Sequence, residues 1–316
     1  MKGLRYILIL LTFCMAAISC EREDGPRYPA EGTGRPIVFT AETEWPEMTK
    51  AVINTTDDIK NVGFRVWGNW RQDVDGKDKH AVFGTAGTDV SFRNNSWTCS
   101  DDQSWYKGYY GFAAMLPASQ FTGTYTGNKL VFDPGDSGFD LAATQTDLMY
   151  AFCNVDNTEG DASTVDLVFN HAFSLLDIRL KRNGAFVTKV MLYGIHRKTT
   201  GPLEYSHASS IGEAGEITSN LDEILSDVTT EDSPYYIKTY PTGSGFNYSN
   251  NEISLLKGSG VSGPLLVFPE DLTQTPLKIV VVLSVAGQAK EIRAEVNTGE
   301  WTPGATYAYV LEYNNN

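Results

Sequence analysis

The sequence predicts an all-β protein of two β-sandwich domains in tandem, and three observations carry that expectation. Strand-like alternation recurs along the chain, turn residues punctuate it, and only one stretch, residues 219–228, has helical spacing. The pattern is clearest at residues 165–195. Val165, Leu167 and Phe169 alternate with Asp166 and Asn170, as in a strand that buries one face. Past His171 the apolar set becomes Leu176, Ile178 and Leu180, so the chain bulges or bends between Asn170 and Ser174. Asn183-Gly184 follows, and both residues tolerate the positive φ of a type I′ turn, which predicts a hairpin. Its return arm, residues 186–195, is apolar on both faces and reads as an inner strand. His171, beside the kink, reads as a packed histidine bonded to nearby backbone.

At the N-terminus Lys2 and Arg5 precede the apolar run 6–13, and a small-residue site follows, so residues 1–19 form a secretory signal peptide. The run is far shorter than the ~20 residues that cross a bilayer. Ala17-Ile18-Ser19-Cys20 resembles a bacterial lipobox, which makes Cys20 the lipidated N-terminus. Residues 20–35, with an acidic start at 21–24 and several prolines and glycines, read as a lipidated tether. The 316 residues carry a formal net charge of −14, more negative once Lys2 and Arg5 leave, so nucleic acid is excluded as a partner. At about 100–200 residues per domain, the length predicts two domains. Only Cys99 and Cys153 remain to the processed chain, too few for a disulfide framework.

Residues 37–42 alternate with Ile37, Phe39 and Ala41 inward and form the first strand; a polar loop with Thr49-Lys50-Ala51 follows. The next strand is 62–67, with Val62, Phe64 and Val66 on one face and Arg65 and Trp67 on the other. Residues 73–78 depart from a calcium loop, because Gly76 comes two positions early and no Glu closes it; a solvated Asp-Gly turn fits. Residues 96–98 and 105–116 supply Trp97, Trp105, Tyr106, Tyr109, Tyr110 and Phe112, a core filling or a sugar-stacking platform. Asp133, Asp136 and Asp140 surround acidic turns. A strand at 148–153 leads into the polar stretch 154–164, which places the boundary between an N-terminal sandwich, 36–160, and a C-terminal one, 161–316.

In the second half, residues 219–228 predict a helix with Ser219 as N-cap and Leu221, Ile224, Leu225 and Val228 on one face. Residues 265–268 and 277–285 are apolar strands, the second too two-sided for an edge. Residues 286–288 turn the chain into the half-exposed strand at 292–296. After the turn at Trp301-Thr302-Pro303-Gly304, the last strand sets Tyr307, Tyr309, Leu311 and Tyr313 on one face.

No motif for chemistry stands out. H-E-x-x-H, C-x-x-C and G-x-S-x-G are absent, Gly76-Lys77 has Arg71 where a P-loop needs glycine, and the four histidines are scattered. The expectation is no enzyme, no cofactor and no metal.

The order of these features resembles the fimbrillin-like family, pilus subunits and related surface lipoproteins of Bacteroidetes-type bacteria. It rests on the lipobox at Cys20, IVFTAE from Ile37, Thr49-Lys50-Ala51, VGFRVWGNW from Val62, DLMYAF from Asp147, VDLVFNHAFSLLDIRL from Val165, PLLVFPEDL from Pro264 and WTPGATYAYVLEY from Trp301. The resemblance implies a transthyretin-like sandwich in each half and an outer-membrane, surface-exposed location. It also implies assembly with other pilus subunits by donor-strand exchange. A trypsin-like protease would cut at Lys50-Ala51 and free the strand of Ile37, Phe39 and Ala41, whose groove a neighbouring subunit's strand then fills. Two departures point away from the shaft: the junction offers lysine where the family has arginine, and the sequence stops three residues past Tyr313, with no spare donor strand. The expectation is a tip or accessory subunit, with a host or bacterial surface ligand as a further partner. The competing class is a surface glycan-binding lipoprotein, which requires Trp67, Trp70, Trp97 and Trp105 to be exposed.

Stable anchoring needs lipid at Cys20. Cys20→Ala should therefore move the protein from the membrane fraction to the soluble one on cell fractionation, and unchanged membrane retention would end the lipoprotein reading.

Overall fold

The computed structural model describes residues 32–43, 55–73, 79–118, 122–135, 138–182, 186–207, 216–240, 253–258, 261–262 and 264–313. Cys20, Lys50, Ala51, Asp136 and the Asn183-Gly184 turn lie outside them. The chain is all-β. Its N-terminal half runs β1 (Val38–Thr43), the helix α1 (Thr56–Val62), β2 (Phe64–Arg71), β3 (His80–Ala81), β4 (Thr88–Arg93), β5 (Ser96–Cys99), β6 (Tyr109–Leu116), β7 (Thr122–Thr126), β8 (Lys129–Asp133), the single turn α2 (Leu141–Thr144), β9 (Met149–Asp156) and β10 (Thr164–His171). The C-terminal half runs β11 (Ser174–Arg182), β12 (Phe186–Tyr193), β13 (His196–Thr199), β14 (Leu203–His207), β15 (Ile217–Ser219), α3 (Leu221–Ile224), β16 (Leu225–Val228) and β17 (Tyr236–Thr239). It ends with β18 (Ile253–Ser254), β19 (Lys257–Gly258), β20 (Val261–Ser262), β21 (Leu265–Val267), β22 (Leu277–Val285), β23 (Gln288–Val296) and β24 (Thr306–Tyr313).

An eight-stranded sheet, β1-β10-β9-β6-β2-β4-β5 with β3 beside β2, wraps the first core of Phe39, Phe64, Phe112, Val165 and Phe169. Helix α1 closes this core with Ile59, fully buried. It forms because Thr55 and Asp58 make a reciprocal capping box, and it stops at Gly63, where φ is +69° and an added Cβ would stand 2.7 Å from the Val90 carbonyl oxygen. The strand expected from residue 62 therefore starts at Phe64, and Val62 ends the helix exposed. In the C-terminal half, a pair of four-stranded sheets face each other: β18-β11-β21 with β24 beside β11, and β17-β12-β22-β23. Leu176, Ile178 and Leu180 meet Val190, Leu192 and Val281 between them.

Three expectations change here. Among the described residues β11 and β12 do not pair; they lie in the two facing sheets, so the chain passes from one sheet to the other instead of turning a hairpin. The periodicity holds, and β12 is an inner strand between β17 and β22, yet a turn signal cannot tell a hairpin from an arch. The helix over 219–228 is one turn, Leu221–Ile224. Ser219 belongs to the preceding strand, and the N-cap position, Asn220, spends its side chain on the main chain of Pro202 and Glu204. Residues 225–228 instead pair with β13. The polar stretch at 154–164 joins two strands of one sheet, since Asn170 and His171 pair with Tyr150 and Met149, and Val165, Leu167 and Phe169 pack in the first core. The crossing to the next sheet falls at Ala172-Phe173, the expected kink.

A third core explains why the crossing is tight. The sheet β15-β14-β8-β7 takes two strands from each half of the chain. Its Phe132 and Tyr205 pack with Trp67, Met115 and Tyr150 from the first sheet and with Phe173 and Phe268 from the C-terminal half. Gln145 secures the junction as a surrogate strand: its Oε1 accepts from Leu266 N at 2.8 Å and its Nε2 donates to Leu266 O at 3.0 Å. Cys99 and Cys153 are free, and burial pushes each thiol up to about 11. Gln145→Ala removes the acceptor of a sheltered N–H, which should cost about 2 kcal/mol. The expected result is a lower urea midpoint at unchanged slope; an unmoved midpoint would mean that another group closes the β21 edge.

Candidate strand-exchange groove

The side chains that the sequence singled out on the first strand come together. β1 runs parallel to β10, from Val38 opposite Thr164 to Thr43 opposite Phe169, and among the described residues it pairs with no other strand. Ile37, Phe39 and Ala41 point inward at 6, 2 and 2 % exposure, while Val38 and Glu42 face out. The Phe39 ring sits 6.1 Å from Phe64 and 5.9 Å from Phe112, both edge-on, and 6.0 Å from Phe83. Such contacts add to the ~1.5–3 kcal/mol that burying one large apolar side chain contributes.

The entry to β1 is stitched to a different segment. Thr33 N donates to Trp105 O at 2.8 Å, Trp105 N to Arg35 O at 2.9 Å, and Ile37 N to Gln103 O at 2.8 Å. Outside, the Thr40 hydroxyl donates to Asp166 Oδ1 at 2.7 Å. The groove thus offers a main-chain ladder and alternating apolar pockets, the two requirements for accepting an added strand. Sequence reasoning missed the partners Phe83 and Gln103. Neither lies in a strand with a period to read, and both come to β1 only through the curl of the sheet.

The other candidates resolve into structure. Trp67, Trp70 and Trp105 are 1, 3 and 0 % exposed and Trp97 is half-buried, so these rings fill cores and form no stacking platform. His171 is packed as expected, but its partner is a carboxylate, Asp147, at 2.9 Å from Nδ1, and both groups are sealed from solvent. Sequence spacing hid this pair, because the two residues meet only through the pairing of β9 with β10. His196 Nδ1 stands 3.0 Å from Glu270, which also accepts from His196 N and the Thr275 hydroxyl. Asp133 accepts from Gly135 N, and Asp140 caps α2 and holds Arg197 at 2.7 Å. Among the described residues no three metal-ligating side chains gather, and no helix is long and apolar enough to cross a membrane.

Among solved structures, the chain is similar to a candidate cell adhesion protein of Bacteroides ovatus, 14% identical over 89% of this chain and 93% of that one, with a TM-score of 0.47. It is similar to a fimbrial protein of the same species, 13% identical over 90% of this chain and 50% of that one, TM-score 0.37. A candidate polysaccharide-binding protein of Bacteroides thetaiotaomicron is 12% identical over 83% and 80%, TM-score 0.35. No curated protein matches. The fimbrillin-like family model covers residues 49–316, from just before Lys50-Ala51 onward, and on that match the chain belongs to the fimbrillin-like family.

Proposed function

We propose that this fimbrillin-like protein is a tip or accessory component of surface pili, exported as a lipoprotein through Cys20 and joined to other subunits by exchange of β1. The observation that carries the reading is the seating of β1. It is an edge strand, bonded along one side only, and it fills a pocket lined by Phe64, Phe83 and Phe112. Removing it would open an apolar groove with unpaired β10 main chain, a surface that demands another strand. The family match begins beside Lys50-Ala51, so β1 lies ahead of the shared body. A cut there would separate the two.

The position in the pilus is argued from the last strand. β24 is paired along its length with β11, from Thr306 opposite Leu175 to Tyr313 opposite Arg182. Its Tyr307, Tyr309 and Leu311 pack on the second core, and Trp301 Nε1 donates to the Tyr309 hydroxyl at 3.0 Å. A strand so committed to its own sandwich is not available as a donor, which favours a subunit that accepts at one site over a repeating shaft subunit. The buried tryptophans weigh against the glycan platform at those positions.

Limited trypsin digestion of the folded protein should give a new N-terminus at Ala51, and the product should bind a synthetic peptide of residues 36–44. The same peptide with Phe39→Ala should bind far more weakly, since deleting a buried ring costs about 3–5 kcal/mol. Cleavage at Arg27 and Arg35 with Lys50 intact, or equal binding of both peptides, would overturn exchange at this groove. Immunogold electron microscopy of intact cells should label filament ends; label spaced along filaments would make it a shaft subunit, and label on bare membrane alone would end the pilus reading.

A further inference from the structure

On the face of the first sheet away from the first core, the registers of β2, β6 and β9 bring Asn69, Gly111 and Asn154 into one cross-strand row and Arg71, Tyr109 and Asp156 into the next. Gly111 leaves a hollow between the two asparagines. A Cβ there would stand 3.3 Å from Asn154 Oδ1 and 3.4 Å from the Tyr125 hydroxyl on β7. Lys79 and Asn128 form the far wall, with Lys79 Nζ donating to Asn128 Oδ1 at 3.1 Å. The cleft leaves about 20 Å³ for the centre of a water-sized group, room for one small polar group of a larger molecule.

Its chemistry is one-sided. Asn154 Nδ2 is buried without a hydrogen-bond partner. A donor so sheltered gains from an acceptor, which a ligand oxygen can supply. Among the described residues no carboxylate pairs with Arg71 or Lys79, although Arg65, Arg179, Arg197 and Arg293 each hold one. Burial and then the neighbouring Arg71 charge push the Lys79 ammonium below its ordinary value, so the two cations repel. The one acid of these rows, Asp156, is exposed and turned to Thr158, accepting from its N at 2.9 Å and its hydroxyl at 2.7 Å. In a chain of net charge −14, two neighbouring cations give this cleft a locally positive lining that suits an anion.

We propose that this cleft binds the carboxylate of an acidic sugar, with Arg71, Lys79 and Asn154 as its donors. The inference is independent of the strand-exchange reading, since the cleft lies on the face of the sheet opposite the core that seats Ile37, Phe39 and Ala41. Arg71, Lys79 and Asn154 line one cleft and each presents a donor there, and a carboxylate accepts from such donors in charge-assisted hydrogen bonds. The amides of Asn69 and Asn128 and the half-buried Tyr109 ring at the mouth suit the hydroxyls and ring of a sugar.

Titration of the whole protein with glucuronate, glucose and acetate, followed by calorimetry and thermal melting, separates the contributions. Glucuronate should bind saturably and raise Tm, acetate should compete more weakly, and glucose should not bind. Asn154→Asp supplies the missing carboxylate within the chain, so it should raise Tm in the absence of sugar while lowering glucuronate affinity at least about tenfold. Arg71→Met should lower affinity by a similar factor. Equal binding of glucose and glucuronate, no binding of glucuronate, or full affinity in a folded Asn154→Asp protein would overturn the site; acetate binding as tightly as glucuronate would overturn the sugar.

Discussion

The first sheet carries large apolar stretches on both faces, and the rest of the structure follows from the need to cover them both. Phe64 and Val66 on β2 and Phe112 and Ala114 on β6 point one way, Trp67, Ala113 and Met115 the other, and all are buried. A sheet with polar residues on one side could leave that side to water; this one cannot. One face is closed by the curl of its own sheet together with β1 and α1. The other needs a second sheet, and β7 and β8 alone are too few strands to supply it. β14 and β15 complete it from the C-terminal half of the chain. The pairing of Leu203 with Phe132 and of Tyr205 with Leu130 therefore ties the two halves by main-chain bonds as well as by packing.

Both terminal strands of the described structure solve the edge problem in one way and differ in depth. β1 and β24 each add in parallel to a strand flanking the Ala172-Phe173 crossing, and each is bonded along one side. β1 sinks its inward residues into an aromatic pocket, whereas the matching residues of β24 stay half-buried beneath an exposed row of Ala308, Val310 and Glu312. Per residue, β1 contributes more to its core than β24 does. Parallel pairing is slightly weaker per residue than antiparallel, so the hold on β1 rests on its side chains.

Much of this was legible in period-two patterns. β1, β9, β10, β22, β23 and β24 stand close to where alternation put them, and the Ala286-Gly287 turn between β22 and β23 has the positive φ at both residues that suits a tight hairpin. Local signals failed where the decision was not local. Residues 225–228 have a helical face, but the ladder of β16 with β13 outweighs a weak propensity. The capping box at Thr55 and Asp58 is a readable signal, yet the polar residues around it resemble a loop and mask the short helix. β7, β8 and β14 escaped because they are short and partly polar, and their burial depends on a third core that no single stretch announces. The groove pocket of Phe83 and the row of Asn69, Gly111 and Asn154 share that property: each is a product of register between strands far apart in sequence.

The buried carboxylates among the described residues are closely matched. Glu270 accepts from His196 N, the His196 ring and Thr275; Asp177 accepts from Arg179 at 2.7 Å and from the Ser254 hydroxyl; Asp147 meets His171. A buried carboxylate without such partners would cost several kcal/mol, and among the described residues each of these three is satisfied. The same economy applied to cations would have placed an acid beside Arg71 and Lys79, as Asp89 lies beside Arg65 across the β2–β4 ladder. β9 puts Asn154 there, an isostere of aspartate that keeps the shape and withholds the charge. One substitution could have offset one of the two positive charges, so the unfilled Asn154 donor in this cleft is a property of the sequence and not a constraint of the fold.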